Sequence, residues 1–323
     1  MRIKDLFSFS ISQISMVALT SLGVATLVSC GGGDGSDIPL VSGNTATGTS
    51  PANTLLAQGQ AYQNAGKTGK AISTYNTINK KYPNTAAAGE ASFAKAQIFD
   101  KEGDLFKAFE AYQELVSKDQ ASPHYSAAIK RQESVAHSAA DGVITNNFLG
   151  LKTRINSDKI EKMLGQVRNN APQAPSAAKA QYTIGRMWQQ EGAAAKAINA
   201  YKQVDLNYGS SSYAPEALYQ TGEILVLKAE RGNQNKANVN RARNIYQELL
   251  HRYPNHKRAA DARSRLSMLG SQDIQRSYDV GEFYRNKGQK KSALFYYREV
   301  LRKTKIGPIC DKAKQRIAEL ESQ

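Results

Sequence analysis

Residues Ala61-Tyr62-Gln63-Asn64-Ala65-Gly66-Lys67-Thr68 place Gly, Lys and Thr in the order of a relaxed phosphate-binding loop, with Ala where the first Gly would stand. Such a loop cradles phosphates with backbone N–H groups, and for that it must follow a strand and open a helix. Here the stretch spans the end of one helical pattern and the start of the next, so Gly66 and Lys67 fall at a turn. The histidines are His124, His137, His251 and His256. His251 and His256 flank the turn at Tyr253-Pro254, and two ligands alone do not make a zinc site. No HExxH, no Cys/His cluster and no GxSxG occurs, and the carboxylates are scattered over polar faces. Of the two cysteines, Cys30 and Cys310, the second has no persuasive base beside it and reads as a partly buried small apolar residue. The expectation is a chain that binds, with no enzymatic activity, no cofactor and no metal.

The elements that would position a binding site are helices in pairs. In residues 178–209, Gly185 and, three on, Trp188 belong to one short helix, and Ala197, Tyr201 and Val204 to the next, around the turn Glu191-Gly192-Ala193. Small residues at Gly185 and Ala197 let two helices approach closely, and the large ones fill the space beside them. The spacing resembles the tetratricopeptide repeat, a helix-turn-helix unit of about 34 residues. The same rule finds Gly59, Tyr62, Ala71, Tyr75, Ile78 and Pro83; then Ala96, Phe99, Ala108, Tyr112 and Leu115. It finds Gly222, Leu225, Ala242, Tyr246, Leu249 and Pro254 with a lengthened turn, and Gly281, Tyr284, Ala293, Tyr297 and Val300. A worn third unit keeps Ala136, Ile160, Leu164, Val167 and Pro172. One unit cannot bury its own apolar face, so copies must stack. The predicted fold is all-α: a right-handed superhelical tetratricopeptide-repeat solenoid of about six units over residues 53–323. Residues 141–158 read as a long connection, 228–239 as a polar extension of the fifth turn, 257–269 as an extra linking helix and 308–321 as a capping helix.

In this repeat class the first helix of each unit lines the binding groove. The residue three before the small position gives Leu56, Phe93, Glu133, Tyr182, Tyr219 and Tyr278. Four positions on come Gln60, Gln97, His137, Arg186, Glu223 and Glu282. An aromatic beside a polar group at each step suits an extended peptide, which alternates apolar and hydrogen-bonding demands. The candidate protein-binding residues are therefore Phe93, Tyr182, Arg186, Tyr219, Glu223, Tyr278 and Glu282. The alternative is that the rings only pack between neighbouring units.

The amino terminus is of another kind. Arg2 and Lys4 precede an apolar stretch centred on MVALTSLGVATLV, and Ser8, Ser10, Ser12, Gln13 and Ser15 weaken its reading as a membrane span. Leu27-Val28-Ser29-Cys30 resembles a bacterial lipobox. That resemblance implies a signal peptide over 1–29, diacylglycerol on the Cys30 sulfur and an acylated (palmitate-type) amino terminus. Alternatives are an ordinary signal peptide with an incidental Cys, or an uncleaved anchor. Two or more acyl chains anchor stably, where one holds only marginally. Gly31 stands where Asp retains enterobacterial lipoproteins in the inner membrane, which points to the outer membrane. Residues 31–52, rich in Gly, Ser and Thr, read as a flexible tether.

The chain carries a net charge of +15. Residues 228–323 hold 22 basic and 10 acidic side chains, so almost all the excess lies there. A basic surface draws anionic partners. In an exported protein these are phosphorylated lipid headgroups or acidic envelope proteins, with no nucleic acid expected; a solvated surface that only aids solubility is the alternative.

Lipobox, tether and repeats together resemble the BamD/ComL (YfiO) family of outer-membrane assembly lipoproteins. AQYTIGRMWQQEGAAAKAINAYKQVDLNYG, ALYQTGEILV, ARNIYQELLHRYPNHKRAADARSRL and SYDVGEFYRNKGQKKSALFYYREVL are similar to its middle and late repeats. The resemblance implies a periplasmic scaffold, anchored in the outer membrane of a diderm bacterium, that helps insert β-barrel proteins. It implies contact with the barrel-forming subunit and with unfolded outer-membrane proteins. The chain departs in having about six repeats where the best-known members have five. The alternative role is a repeat adaptor in cell-envelope and division coordination, as in the Tol-Pal system. That role predicts an amino-terminal coiled coil, which is not seen.

Overall fold

The computed structural model describes residues 50–142, 147–148, 151–152, 154–231 and 236–322. The expected signal peptide, Cys30 and nearly all of the tether lie outside them. Six helix pairs follow one another: α1 (Pro51–Asn64) with α2 (Thr68–Lys81), α3 (Ala86–Glu102) with α4 (Leu105–Lys118), α5 (Tyr125–Ala140) with α6 (Ser157–Asn170). Next come α7 (Pro175–Gln190) with α8 (Ala194–Asn207), α9 (Tyr213–Arg231) with α10 (Lys236–Arg252), and α11 (Arg258–Asn286) with α12 (Lys290–Lys303). A last helix, α13 (Pro308–Glu321), packs on α12. The first helices of the pairs form one layer and the second helices the other, and each helix packs on the next in sequence. This is the all-α tetratricopeptide-repeat solenoid, built from about six units and a final helix.

The turn inside a unit shows why the sequence folds this way. Gly66, Gly103, Gly192 and Gly288 all have positive φ, between 70° and 76°. Each lies seven residues after the small residue of its unit. The residue after each glycine sends its amide back to a carbonyl in the last turn of the helix: Lys67 to Tyr62 (2.8 Å), Asp104 to Phe99 (2.9 Å), Ala193 to Trp188 (2.9 Å) and Gln289 to Tyr284 (2.9 Å). A left-handed residue is required for that closure, and glycine takes it without steric cost. The phosphate-loop-like residues 61–68 are one of these turns, preceded by a helix.

The small residues sit against the second-helix tyrosines as the spacing requires. A Cβ on Gly59 would lie 2.5 Å from Tyr75 Cε1, and one on Gly281 2.7 Å from Tyr297 Cε1. Tyr75, Tyr112, Tyr201, Tyr246 and Tyr297 are all essentially fully buried. The worn third unit keeps its core: Ile160, Leu164 and Val167 on α6 are buried with Ala136 on α5.

Five expectations change. The linking helix over 257–269 does not end: it runs on into the first helix of the sixth unit as α11, 29 residues long. Gly270 is the sole breaker at that junction, and a single helix-interior Gly costs only about 1 kcal/mol. The fifth turn is shorter than 228–239, because α9 continues to Arg231 and α10 begins at Lys236. The connection over 141–158 contains a two-residue antiparallel ladder, Asn147–Phe148 (β1) with Leu151–Lys152 (β2). After it Ile155 is buried against the α4–α7 core, and Asn156 caps α6 by accepting from the Asp158 amide at 2.8 Å. Cys310 is fully buried rather than partly. The first helix begins at Pro51, within the expected tether, since Ser50 caps it and Pro51 occupies the first helical turn.

Candidate protein-binding face

The candidate residues lie on the first helices, where each ring of the row meets the buried tyrosine of its own unit. Phe93 lies edge-on to Tyr112 with centroids 6.0 Å apart, and Tyr182 is tilted on Tyr201 at 5.4 Å. Tyr219 meets Tyr246 at 6.0 Å, and Tyr278 meets Tyr297 at 5.6 Å. Phe93, Tyr182 and Tyr278 are half-buried, and Tyr219 is buried beneath Arg258, whose guanidinium lies 4.5 Å from its ring centroid. Leu56 packs in the α1–α2–α3 core. Glu133 instead accepts from Lys179 on α7 at 3.2 Å.

The buried tyrosines hold their protons, because burial raises the hydroxyl pKa of each. A neutral buried hydroxyl needs an acceptor. In the early units it comes from four residues after the small position: Gln63 for Tyr75 (2.7 Å), Asp100 for Tyr112 (3.3 Å) and Gln189 for Tyr201 (2.6 Å). In the last two it comes from the residue directly after the small position, a carboxylate: Glu223 for Tyr246 (2.5 Å) and Glu282 for Tyr297 (2.7 Å).

That switch decides what the polar row can offer. Glu223 is also held by Arg265 of the next unit. Glu282 accepts from Arg285 (2.8 Å) and from Arg316 on α13 (3.0 Å). Burial pushes the Glu282 carboxyl up, but hydrogen bonds from Tyr297 and Arg285 and the Arg316 charge outweigh it and hold it down at about 2. Arg186 pairs with Asp141, and His137 is buried with Nδ1 3.2 Å from Thr183 Oγ1. From the third unit on, the row is cross-linked to its neighbours by ion pairs. Gln60 and Gln97 are exposed.

Phe93 and Gln97 come together on a cavity of about 670 Å³ between α3 and α5. The other consecutive first helices among the described residues pack directly on one another, whereas α3 and α5 diverge. Phe93 and Tyr112 give the cavity an aromatic wall; Lys101, Lys130 and Arg131 give it cations. Arg131 Nη2 donates to Asp100 Oδ1 at 2.7 Å. Lys101 and Lys130 have no carboxylate in ion-pair range among the described residues. A stacked His124 ring, 4.3 Å from Phe93, fixes the phenyl from behind.

The sequence spacing identifies Phe93 and Gln97 but not Lys101, Lys130 or Arg131, whose role depends on the spread of α3 from α5. Nothing in the repeat pattern marks that spread beyond the wear of the third unit. Among the described residues, no three His, Cys, Asp or Glu side chains come together as a metal-ligand group. No helix of the described residues is long and apolar enough to cross a membrane. Cys30 lies outside the described residues.

The tetratricopeptide-repeat family model matches residues 53–85 and 216–256, the first and fifth units. No curated protein matches the chain. Among solved structures, a tetratricopeptide repeat protein from Parabacteroides merdae is 14% identical, covering 84% of this chain and 99% of its own, with a TM-score of 0.31. Pseudomonas aeruginosa pilF is 12% identical over 82% of this chain and 97% of its own, with a TM-score of 0.29. MamA from Desulfovibrio magneticus is 14% identical over 64% and 97%, with a TM-score of 0.30. A tetratricopeptide solenoid of this kind is a protein-binding scaffold.

Proposed function

We propose that the protein is a non-enzymatic scaffold lipoprotein on the periplasmic side of the outer membrane of a diderm bacterium, anchored through Cys30. It serves the assembly of β-barrel proteins by binding partners along its first helices. Those partners are the barrel-forming assembly subunit and unfolded outer-membrane-protein segments. The lipobox-like run before Cys30 and the similarity of the middle and late repeats to the BamD/ComL family support this reading.

The observation that carries the binding role is the opening between α3 and α5. Its aromatic wall takes an apolar side chain, and Lys101 and Lys130 attract a carboxylate beside it. Tyr182, Arg186, Tyr219, Glu223, Tyr278 and Glu282 continue the face and fix its relief, their polar groups being tied into neighbouring units. A photo-crosslinker at Gln97, with the captured species identified by mass spectrometry, tests the assignment. Cross-links to the barrel-forming subunit or to outer-membrane-protein segments, lost in Lys101→Glu/Lys130→Glu, are expected. Absence of both from the captured set would overturn it.

A further inference from the structure

The last helix pair carries a surface unlike the first-helix face. Phe283 on α11 and Phe295 on α12 are 51% and 61% exposed. They are the ends of a continuous run of four rings. Phe283 lies edge-on to Tyr284 at 5.3 Å, Tyr284 stacks on Tyr296 at 5.6 Å with 9° between planes, and Tyr296 meets Phe295 edge-on at 5.2 Å. Single exposed apolar residues need no explanation, but a contiguous aromatic run in contact with solvent does.

Lysines surround the run. Lys287, in the turn between the two helices, sets its Nζ 4.5 Å from the Phe283 ring centroid. Lys290 and Lys291 open α12 and are exposed. Lys291 and Phe295, four residues apart, share one side of that helix. The carboxylates of this region are engaged elsewhere: Glu282 with Arg285 and Arg316, Glu299 with Arg302, Glu321 with Arg298. Among the described residues, none of the three lysines has a carboxylate partner. The patch is thus aromatic and positively charged.

We propose that this face docks on an anionic lipid surface, with the four rings at the depth of the headgroups and the lysines reaching the phosphates. Charge complementarity selects the sign of the partner, and residue type selects its class. Protein interfaces are enriched in Arg and depleted in Lys, and their aromatic anchors fill pockets. Here the cations are lysines, and Phe283 and Phe295 are exposed while Tyr284 and Tyr296 lie half-buried between them. Tyr favours the boundary between water and lipid, Phe on an interfacial helix face inserts into it, and lysine stems lie along apolar surface while the ammonium stays solvated. The contact would lay the α11–α12 end of the solenoid on the membrane whether or not Cys30 carries lipid.

Phe295→Trp places a local reporter in the patch of the mature chain, produced from residue 30 onward with Cys30→Ala so that neither leader nor acyl chain contributes. Trp188, buried on α7, supplies a fixed background. Vesicles containing phosphatidylglycerol are expected to shift the emission to the blue, and phosphatidylcholine vesicles are not. Each lysine near an anionic surface is worth about a five-fold factor in partitioning, so Lys287→Gln/Lys290→Gln/Lys291→Gln weakens the response roughly 100-fold. Raising the salt concentration weakens it as well. An unchanged emission with phosphatidylglycerol vesicles, or an equal shift with phosphatidylcholine, overturns the proposal. A shift with polyglutamate but not with vesicles also overturns it and makes the patch a docking surface for acidic protein.

Discussion

Tyr201 occupies the space that a side chain on Gly185 would need: a Cβ there would lie 2.5 Å from both Cδ1 and Cε1 of the ring. The same contact recurs between Gly222 and Tyr246. The rings involved are buried and cannot swing outward without opening their unit. Overpacking of this kind costs about 1–3 kcal/mol. Gly222→Leu is expected to lower the melting temperature clearly, and Gly222→Ala to lower it despite the better helix propensity of Ala. Gly270, inside α11, is different: a Cβ there would meet nothing within 4 Å. Gly270→Ala should therefore stabilise by about 0.5–1 kcal/mol. Thermal melts of the three variants side by side check the register of the repeats.

Acid should loosen the junction between α5 and α7. His137 is buried there, and burial first, then the Lys179 charge, press its pKa down to about 4 from an ordinary value of 6.5. Glu133 and Asp141 pull the other way, and Arg186 adds to the depression. The folded protein therefore binds fewer protons at this site than the unfolded chain does between these values. Stability from this site is complete above about pH 6.5 and falls as the pH drops toward 4. Melting temperatures measured from pH 7.5 to 4.5 should decline, and His137→Gln should flatten the decline.

Glu282 behaves in the opposite chemical sense but with the same direction on the pH axis. Its carboxyl titrates at about 2 in the folded protein, below the ordinary 4.5. Its contribution is present above pH 4.5 and disappears as the pH falls toward 2. Glu282→Gln leaves Arg316 and Arg285 without their shared charge, and hydrogen bonds to charged groups are worth about 1.5–3 kcal/mol. Amide exchange in α12 and α13 is expected to speed up in that variant while exchange in α1–α4 stays unchanged.

Cys30→Ser should abolish incorporation of labelled fatty acid and leave the leader uncleaved or misprocessed. Normal cleavage with membrane retention in that variant would show that the chain is held some other way.

The fold was legible because close helix packing makes chemical demands that the sequence displays openly. Gly185 with Tyr201, and Gly281 with Tyr297, are pairs whose spacing alone announces a contact. The glycine seven residues after each small position is equally visible, though its closure of the helix emerges only from the backbone geometry. The extent of α11 was less legible, since a linking helix and a repeat helix with no proline between them have the same periodicity as one long helix. The opening at Phe93 was half legible. Its aromatic and polar positions follow from the repeat, but Lys101 and Lys130 line it because α5 diverges from α3, which the residue spacing of the third unit does not display. The acceptor for each buried tyrosine could have been sought, because Glu223 and Glu282 stand where the earlier units carry Gln60 and Gln97.

The 29 residues of α11 make a rod about 43 Å long that belongs to two units at once. The other first helices are at most 19 residues long and serve their own unit, whereas Ala259, Ala262 and Leu269 of α11 are buried in the α9–α10 core. In a solenoid of separate units a terminal unit can fray while its neighbour remains intact. Here fraying of the sixth unit would require melting the middle of a continuous helix or carrying the fifth along. The fifth and sixth units are therefore expected to be lost together on denaturation rather than one after the other. A load applied to the sixth unit would reach the fifth through one unbroken column of peptide hydrogen bonds.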